Sequence, residues 1–342
     1  MASTKPRFIE SPLDVPEAFR KALGKWFAEG GKDFPWRRTR DPYEILVSEM
    51  MLQQTRVATV LGKGYYTRFL AAFPDPASLA AADDTSLLKA WEGLGYYRRA
   101  RMLRSAAAAV VAQHGGVFPE GEGELLALPG IGPYTAAALL SFSFGKPSAL
   151  VDGNVSRVLS RLMDDAAVIE SSAAIKKHRQ WALDLCDPKD PRAHHYAMME
   201  LGQTVCRPGV PLCEMCPVAG FCKTREPEKL PVKKKAPAAT EITEHAIWLS
   251  DPEGNILLHC ETGSRRNGLW KLPLRSADFC SALPTIFETT YPITRYKVRL
   301  KIHAGDICPP ENGDEWVGRE QLESLPLAAP FRRAIDRLLA DF

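Results

Sequence analysis

The stretch LPGIGPYTAAA, residues 128–138, decides the local fold of the N-terminal region. Gly130 and Gly132 allow backbone turns that other residues avoid, and Pro133 suits the first position of a helix, where its missing N–H is not needed. The pattern predicts a tight hairpin followed by a helix. The N–H groups at such a helix start, with the positive end of the helix dipole, form an anion site that fits a nucleic-acid phosphate. A purely structural turn is the alternative, because Gly and Pro often precede helices.

Composition and charge restrict the class of protein. The 342 residues are enough for two domains, and 45% apolar with 25% charged residues is ordinary for globular proteins. A net charge of +3 identifies no partner, but basic residues cluster in WRRTR (36–40) and YYRRARMLR (96–104), which indicates nucleic acid. No apolar run approaches the roughly 18 residues that cross a bilayer, and MASTKPRF lacks a signal-peptide core. We therefore expect a soluble, intracellular protein that binds no membrane.

Two domains and a linker are predicted from the patterning. Residues 9–225 show one helical spacing after another, including the stretch YEILVSEMMLQQTRVATVL, and the expected helical hairpin covers about 122–144. Residues 226–241 change to Pro, Lys and Ala, as is typical of an extended linker. In residues 242–342, HAIWLSDPEGNILLHCE predicts two strands about a turn, TRYKVRLKIHAG alternates with period two, and AAPFRRAIDRLLADF predicts a closing helix. The expected fold is therefore mainly α, followed by a small α+β domain.

Four cysteines share one short loop, residues 206–222, in which prolines and glycines bend the chain so that the sulfurs converge. They are Cys206, Cys213, Cys216 and Cys222, at spacings x6, x2 and x5. Four thiolates suit tetrahedral zinc or a [4Fe–4S] cluster, and ligand type alone does not separate the two. The remaining cysteines are scattered singly, as reduced core residues usually are: Cys186, Cys260, Cys280 and Cys308.

Two carboxylates stand in positions that suit acid–base chemistry. Glu49 shares an apolar stripe with Ile45 and Leu52, so it should be buried, and burial raises a carboxyl pKa toward the range of a general acid. The alternative is a buried glutamate that pairs with an arginine or caps another helix. Asp152 and Asn154, in LVDGNVSRVLSRL, precede a helix, where an N-cap turn is the simplest interpretation. The stretches MLQQT and WEGLGYYRRAR offer amide and aromatic side chains that could wedge into a base stack.

Taken in order, these motifs resemble the endonuclease III superfamily of DNA glycosylases: LPGIGPYTA, then VDGNV, then C-x6-C-x2-C-x5-C. Within it, PWR…DPYEILVSEMMLQQT and WEGLGYY resemble adenine DNA glycosylases of the MutY type, which remove adenine mispaired with 8-oxoguanine. The likeness is strong over residues 34–225 and looser over residues 241–342. It implies a helix–hairpin–helix glycosylase domain with an iron–sulfur loop, followed by a Nudix-like domain that recognises the lesion.

The resemblance implies a role for each motif. The hairpin with Gly130 and Gly132 would grip phosphate, the four cysteines would hold a [4Fe–4S] cluster, and Glu49 and Asp152 would be the catalytic pair. Tyr134 stands where bifunctional relatives carry the lysine that forms a Schiff base, so the enzyme should be monofunctional. The other implied site residues fall into three groups: Asn154 with Tyr134 orienting the pair; Gln54 and Tyr96 as wedge residues; and Trp36, Arg37, Leu52, Val57 and Glu200 near the flipped base.

The C-terminal region departs from the family at two points. RRNGLWKLP stands where the family has a Leu-Trp-Glu-Phe-Pro type run, and no Nudix-box array of Gly, Arg and paired Glu is present. The family's Phe-Ser-His loop, which reads 8-oxoguanine, corresponds to Ile293-Thr294-Arg295, so Thr294 would replace the serine.

The implied partner is duplex DNA with an adenine opposite 8-oxoguanine or guanine. We expect a monomer in the cytoplasm, associated with the nucleoid if the source is bacterial. Two alternatives remain at this point: a related glycosylase that removes thymine opposite guanine, and a non-catalytic iron–sulfur protein that binds DNA.

Overall fold

The structure is a computed structural model that describes residues 11–235, 237–263, 266–305 and 310–341. The segment MASTKPRF, Arg265 and Cys308, which enter the expectations above, lie outside the described residues. By packing, the chain divides into two compact units. The first combines the chain before Gln54 with residues 105–235, and the second combines residues 54–104 with the chain after Lys235. The linear boundaries 9–225, 226–241 and 242–342 follow composition instead and stay a prediction.

Helices form the N-terminal region, as its 3.6-residue periodicity predicts. In chain order they are α1 (Pro16–Gly30), α2 (Pro35–Arg38), α3 (Pro42–Leu52), α4 (Val57–Gly62), α5 (Tyr65–Ala72), α6 (Pro76–Ala80), α7 (Asp84–Ala90), α8 (Arg98–His114), α9 (Glu122–Ala127), α10 (Pro133–Phe142), α11 (Gly153–Leu162), α12 (Ser172–Leu185) and α13 (Pro191–Thr204). Helix α3 is almost entirely buried and packs against α10. Helices α1, α11 and α13 share a core that contains Phe19, Leu23, Val158 and Leu201. This core fixes the start of α11, where Asp152 lies.

The spacing of YEILVSEMMLQQTRVATVL predicted one continuous helix, and this prediction is wrong. Helix α3 ends at Leu52 and α4 begins at Val57. Between them Gln54 has a φ of 59°, a left-handed conformation that no α-helix contains. The apolar period continues across the break because it depends only on residue spacing, whereas the polar sequence Gln-Gln-Thr-Arg permits a turn.

The helical hairpin is formed by α9, the loop 128–132 and α10. Gly130 has a φ of 77°, as the hairpin prediction requires. The same expectation for Gly132 is wrong, because its φ is −91° and an added Cβ would meet nothing within 4 Å. Gly132 is instead the N-cap residue of α10, which has no side-chain capping hydrogen bond, and Pro133 follows at the first helical position. The first N–H groups of α10 therefore have no capping side chain.

Strands of the second unit form two sheets. The elements after the linker are β1 (Thr240–Trp248), β2 (Ile256–Cys260), β3 (Trp270–Lys271), β4 (Leu274–Arg275), α14 (Ala277–Cys280), β5 (Thr285–Ile293), β6 (Tyr296–Ala304), β7 (Asp314–Val317), α15 (Arg319–Ser324) and α16 (Ala329–Asp341). One sheet has the order β4-β1-β6-β5 and the other β3-β2-β7. The α+β class of this region is confirmed.

The pairing of β1 differs from the simplest expectation of a hairpin with β2. The two strands belong to different sheets and are joined beside the turn by a single bridge, Ser250 to Ile256. The long partner of β1 is β6, in parallel, from Thr240 opposite Tyr296 to Trp248 opposite Ala304. Period-two alternation predicts a strand and its buried face, but it carries no information about which strand lies alongside.

Candidate active site and nucleic-acid-binding loops

Glu49 lies on α3 with only 4% of its surface exposed. Its partner is the hydroxyl of Tyr134 on α10, which donates to Glu49 Oε2 at 2.7 Å, so the alternative of a glutamate held by an arginine does not describe this site. Burial raises the pKa of Glu49 to about 7, the Tyr134 hydrogen bond opposes this rise, and the charge of Asp152 adds to it. A carboxyl of this pKa holds a proton for a substantial part of the time at neutral pH, as a general acid must.

Asp152 is the N-cap residue of α11, as the turn interpretation predicted. One carboxylate oxygen accepts from the backbone N–H of Val155 at 2.7 Å, and the other accepts from Asn154 Nδ2 at 2.8 Å. Burial raises the pKa of Asp152, while the hydrogen bonds from Val155 and Asn154 oppose that rise. Each oxygen accepts one hydrogen bond, and these two bonds favour the charged form against the effect of burial. Two neighbouring carboxyl groups therefore sit in different environments, the arrangement that separates an acid from a charged base or nucleophile.

Arg157 links this site to the cysteine loop, a role that the sequence analysis missed. Its Nη2 donates to Asn154 Oδ1 at 2.9 Å and to the carbonyl of Gly202 at 2.6 Å, and its Nε donates to the carbonyl of Cys206 at 2.8 Å. Gly202 on α13 lies so close that a Cβ there would be 2.7 Å from the Cβ of Asn154. The available signal was Arg157 in the amphipathic pattern NVSRVLSRL, and this arginine is only 5% exposed in the fold.

The four cysteines of the 206–222 loop line one cavity, together with Arg161 and apolar residues. The loop contains two single turns of 3₁₀ helix, Cys213–Met215 and Ala219–Phe221. Burial raises the pKa of the Cys216 thiol to about 12, and the other three thiols act in the same direction, so the four sulfurs are near enough to interact. Metal binding would remove these protons, since a thiol coordinates as the thiolate.

Two observations test whether this cavity fits a metal group. Arg161 is 1% exposed, donates to Cys206 Sγ at 3.4 Å, and forms no ion pair with a carboxylate within the described ranges. A buried cation needs a compensating charge, which thiolates bound to a metal group would supply. In addition, no three of the four described sulfurs lie within 4.8 Å of one another. Zinc at about 2.3 Å from each sulfur would hold the sulfurs roughly 3.8 Å apart, so the site is wider than one zinc ion needs.

Gln54 and Tyr96 lie in two exposed loops of the second unit and share an unusual backbone. Their φ values are 59° and 48°, which non-glycine residues seldom adopt and which is often maintained at functional sites. Arg99, buried at the start of α8, supports both loops. It donates to the carbonyls of Leu94 and Gly95 at 3.1 and 3.0 Å and to Thr55 Oγ1 at 3.3 Å. Arg99 therefore joins the turn that follows Gln54 to the loop that carries Tyr96.

Comparison with known proteins shows what this helical region is similar to. The family model described as "HhH-GPD superfamily base excision DNA repair protein" matches residues 47–181, which contain Glu49, the hairpin and Asp152. We call the matched residues 47–181 the HhH-GPD domain. Among solved structures, a thermostable thymine-DNA glycosylase is 27% identical with a TM-score of 0.56, covering 63% of this chain and 98% of that one. A non-covalent endonuclease III–DNA complex, 24% identical with a TM-score of 0.53, covers 65% of this chain and 98% of that one and shares the fold.

Curated relatives extend the similarity beyond the HhH-GPD domain. Adenine DNA glycosylase of Homo sapiens is 42% identical over 226 residues, which are 62% of this chain and 41% of that protein. Adenine DNA glycosylase of Mycobacterium tuberculosis is 36% identical over 194 residues, 56% of this chain and 63% of that protein. The chain thus spans about half the length of the curated relatives that it matches.

Five residues around the HhH-GPD domain were expected near a flipped base, and the structure shows how they are held. Arg37 Nη1 lies 2.6 Å from Glu200 Oε2, in an ion pair that is largely buried. Trp36 is 3% exposed and stacks on Phe34 with ring centroids 5.3 Å apart. The remaining two are the half-buried residues at the end of α3 and the start of α4: Leu52 and Val57. Arg37 and Glu200 thus pair with each other, and the assignment of all five residues to a base pocket stays a prediction.

Thr294 occupies the two-residue turn between β5 and β6, since Ile293 pairs with Tyr296. Its φ is 52°, which is unfavourable for a β-branched residue. Arg295 donates to the hydroxyl of Tyr296 at 3.0 Å and stacks on that ring. The hairpin therefore presents a threonine hydroxyl and a cation together at an exposed turn.

No described helix is both long and apolar enough to span a membrane.

Proposed function

We propose that the chain is a monofunctional DNA glycosylase of base excision repair that removes adenine paired with 8-oxoguanine and, more slowly, with guanine. The observation that carries this proposal is the carboxyl pair: a buried Glu49 with a pKa of about 7, beside an Asp152 whose two oxygens accept hydrogen bonds. Its HhH-GPD domain and its similarity to curated adenine DNA glycosylases support adenine as the base. In this proposal the protein is an intracellular monomer that acts on duplex DNA.

The two carboxyl groups divide the chemistry of base release. Adenine must leave the duplex before any side chain reaches its glycosidic bond. Glu49 then gives its proton to N7 of the adenine, so that the base departs as a neutral molecule when the bond to C1′ breaks. The bonding electrons stay with the base, and the sugar becomes an oxocarbenium-like cation that the Asp152 carboxylate stabilises. Water adds to C1′ and loses a proton, which completes hydrolysis.

Neighbouring residues keep the pair in these two states. Asn154 holds Asp152 through its Nδ2 and is itself held by Arg157, so the charged oxygen keeps its direction. Tyr134 donates to Glu49 and, being a phenol, offers no amine for a Schiff base. The proposed enzyme therefore leaves an abasic site and does not cleave the strand.

Two kinds of contact would hold the DNA. The start of α10 after Gly130 and Gly132 has no capping side chain and suits a backbone phosphate, because uncapped N–H groups and the helix dipole both favour an anion. Gln54 and Tyr96, on exposed loops fixed by Arg99, suit insertion into the base stack around an extruded adenine.

The cysteine loop is proposed to hold a [4Fe–4S] cluster through Cys206, Cys213, Cys216 and Cys222. When bound, such a cluster supplies a redox-capable centre and cross-links the loop. Arg161 compensates its charge from within the fold, and Arg157 fixes the carbonyl of Cys206. Freshly prepared protein should contain about four irons per chain. Stoichiometric zinc without iron in anaerobically prepared protein would overturn this assignment.

Lesion recognition is proposed for the C-terminal Nudix-like region, residues 242–342, through Thr294. 8-Oxoguanine presents an N7–H donor that guanine lacks, and the threonine hydroxyl can accept it. Arg295 adds a charge that suits a phosphate. One neutral hydrogen bond contributes about 0.5–1.5 kcal/mol, so Thr294→Val should reduce the preference for 8-oxoguanine over guanine several-fold. An unchanged preference in Thr294→Val and in a chain truncated near Lys233 would move discrimination out of this region.

A panel of duplexes tests the function directly. Single-turnover base release is measured with adenine or thymine placed opposite guanine or 8-oxoguanine, and strand breaks are scored before and after alkali. We expect adenine release, fastest opposite 8-oxoguanine, with breaks only after alkali. Thymine release would favour the thymine glycosylase alternative, and binding without release of either base would favour the non-catalytic one. Borohydride trapping of a covalent complex would refute the monofunctional assignment.

A further inference from the structure

A second group of metal-ligand side chains lies in the β1–β6 sheet, away from the cysteine loop in sequence. His245 is on β1, His303 is on β6, and Cys280 ends α14. One ligand atom from each residue lies within 4.8 Å of the other two. The two imidazoles stack with an interplanar angle of 17°, and His245 Nδ1 lies 3.0 Å from His303 Nε2. Three elements that are far apart in sequence thus direct two nitrogens and one sulfur to a single point.

The contacts of His303 Nδ1, the ring nitrogen that faces away from this point, favour one tautomer. Its Nδ1 lies 3.3 Å from Thr285 Oγ1 and 3.4 Å from the carbonyl of Leu283. The carbonyl can only accept and the threonine hydroxyl is able to accept, so a proton on Nδ1 satisfies both contacts and leaves the lone pair of Nε2 toward His245. A histidine that donates its other N–H to a backbone carbonyl is the usual support of a metal-binding imidazole.

From this arrangement we propose that His245, Cys280 and His303 form a zinc site. Zinc prefers imidazole nitrogen and thiolate sulfur in tetrahedral geometry, with Zn–N distances of about 2.0–2.1 Å, which places two bound nitrogens roughly 3.3 Å apart. The observed 3.0 Å separation needs only a small opening. Cys280 is 1% exposed and His303 4% exposed, whereas His245 is half-buried, so water has access to the fourth position on the side of His245.

Zinc at this point would clamp the short helix α14 to the parallel pair of β1 and β6. Cys280 already packs with Ile247, Leu249 and Leu257 in the core of this region. A four-residue helix has little stability of its own. A bond from its last residue to the sheet would therefore order the chain between β4 and β5. This site is independent of the proposed glycosylase activity.

Metal content and cobalt binding of the full-length chain test the proposal. Purified protein is stripped with a chelator, resupplied with Zn²⁺, desalted and analysed, and separately titrated with Co²⁺, whose thiolate complexes absorb in the near ultraviolet. Cys280→Ser and His245→Gln are the test variants. Cys260→Ser, in the same region, and His259→Gln, a histidine that contacts Asp314, are the matched controls.

We expect Cys280→Ser to bind one equivalent of zinc less than wild type and to show a weaker cobalt–thiolate absorption band. The controls Cys260→Ser and His259→Gln should keep the wild-type zinc content and band. His245 is half-buried, so His245→Gln should fold normally and, without metal, unfold at the same temperature as metal-free wild type. It should bind Co²⁺ at least about tenfold more weakly than wild type does. Metal held by the cysteine loop is common to all these proteins and cancels in the comparison. Zinc content and cobalt spectra equal to wild type in both Cys280→Ser and His245→Gln would refute the zinc site. The group would then be only a hydrogen bond between two histidines beside a core cysteine.

Discussion

Replacing Tyr134 by phenylalanine should move the pH dependence of adenine release toward alkaline pH. The Tyr134 hydroxyl donates to Glu49 Oε2 at 2.7 Å and so favours the carboxylate, while burial favours the protonated acid. A hydrogen bond to a charged group contributes about 1.5–3 kcal/mol, and one pKa unit corresponds to about 1.4 kcal/mol. Without the hydroxyl, the pKa of Glu49 should rise from about 7 by about 1–2 units. The proton-donating form then persists to higher pH.

The assay is the single-turnover rate of adenine release from a duplex with one A:8-oxoguanine pair, measured from mildly acidic to alkaline pH. The wild-type rate should fall above about pH 7, and the fall in Tyr134→Phe should begin about 1–2 pH units higher. Tyr196→Phe removes a hydroxyl directed to the Trp36 carbonyl and should leave the profile unchanged. Glu49→Gln should lose the alkaline fall and at least about 10²-fold in rate, while duplex binding is retained. A Tyr134→Phe profile that coincides with wild type or moves to lower pH would refute the reasoning.

Three further predictions concern stability and positioning. The pKa of Glu49 rises from 4.5 to about 7 on folding, so the free energy of unfolding falls as pH rises through this interval. Glu49→Gln should therefore stabilise the chain by about 3 kcal/mol at about pH 8 but little at about pH 4.5, as measured by urea unfolding. Gly202→Ala should displace Asn154 and slow adenine release by up to about 10²-fold. The control Gly24→Ala, whose added Cβ would meet nothing within 4 Å, should release adenine at the wild-type rate. Equal rates in the two variants would exclude this packing role for Gly202. Arg99→Lys should weaken mispair binding and slow excision together, because a lysine cannot bridge both loops; unchanged values would show that the loops hold without it.

The sequence by itself determined the features that depend on local spacing. Apolar residues every three or four positions gave the helices, and Gly130 followed by Pro133 gave the hairpin, because backbone conformation and the burial of one face are set within a few residues. The burial of Glu49 followed in the same way, from an apolar pattern around a single carboxyl. The order and spacing of the motifs then indicated the family whose model matches residues 47–181.

Only the tertiary structure decided which distant residues meet. The Tyr134–Glu49 hydrogen bond joins two helices that are 85 residues apart, and its effect on the pKa of Glu49 depends on burial by the whole unit. The parallel pairing of β1 with β6 and the meeting of His245 with His303 have no local signal, because an alternating pattern fits many partners. The break after Leu52 also escaped prediction, since the apolar spacing continues across a backbone turn that Gln54 makes in the folded chain.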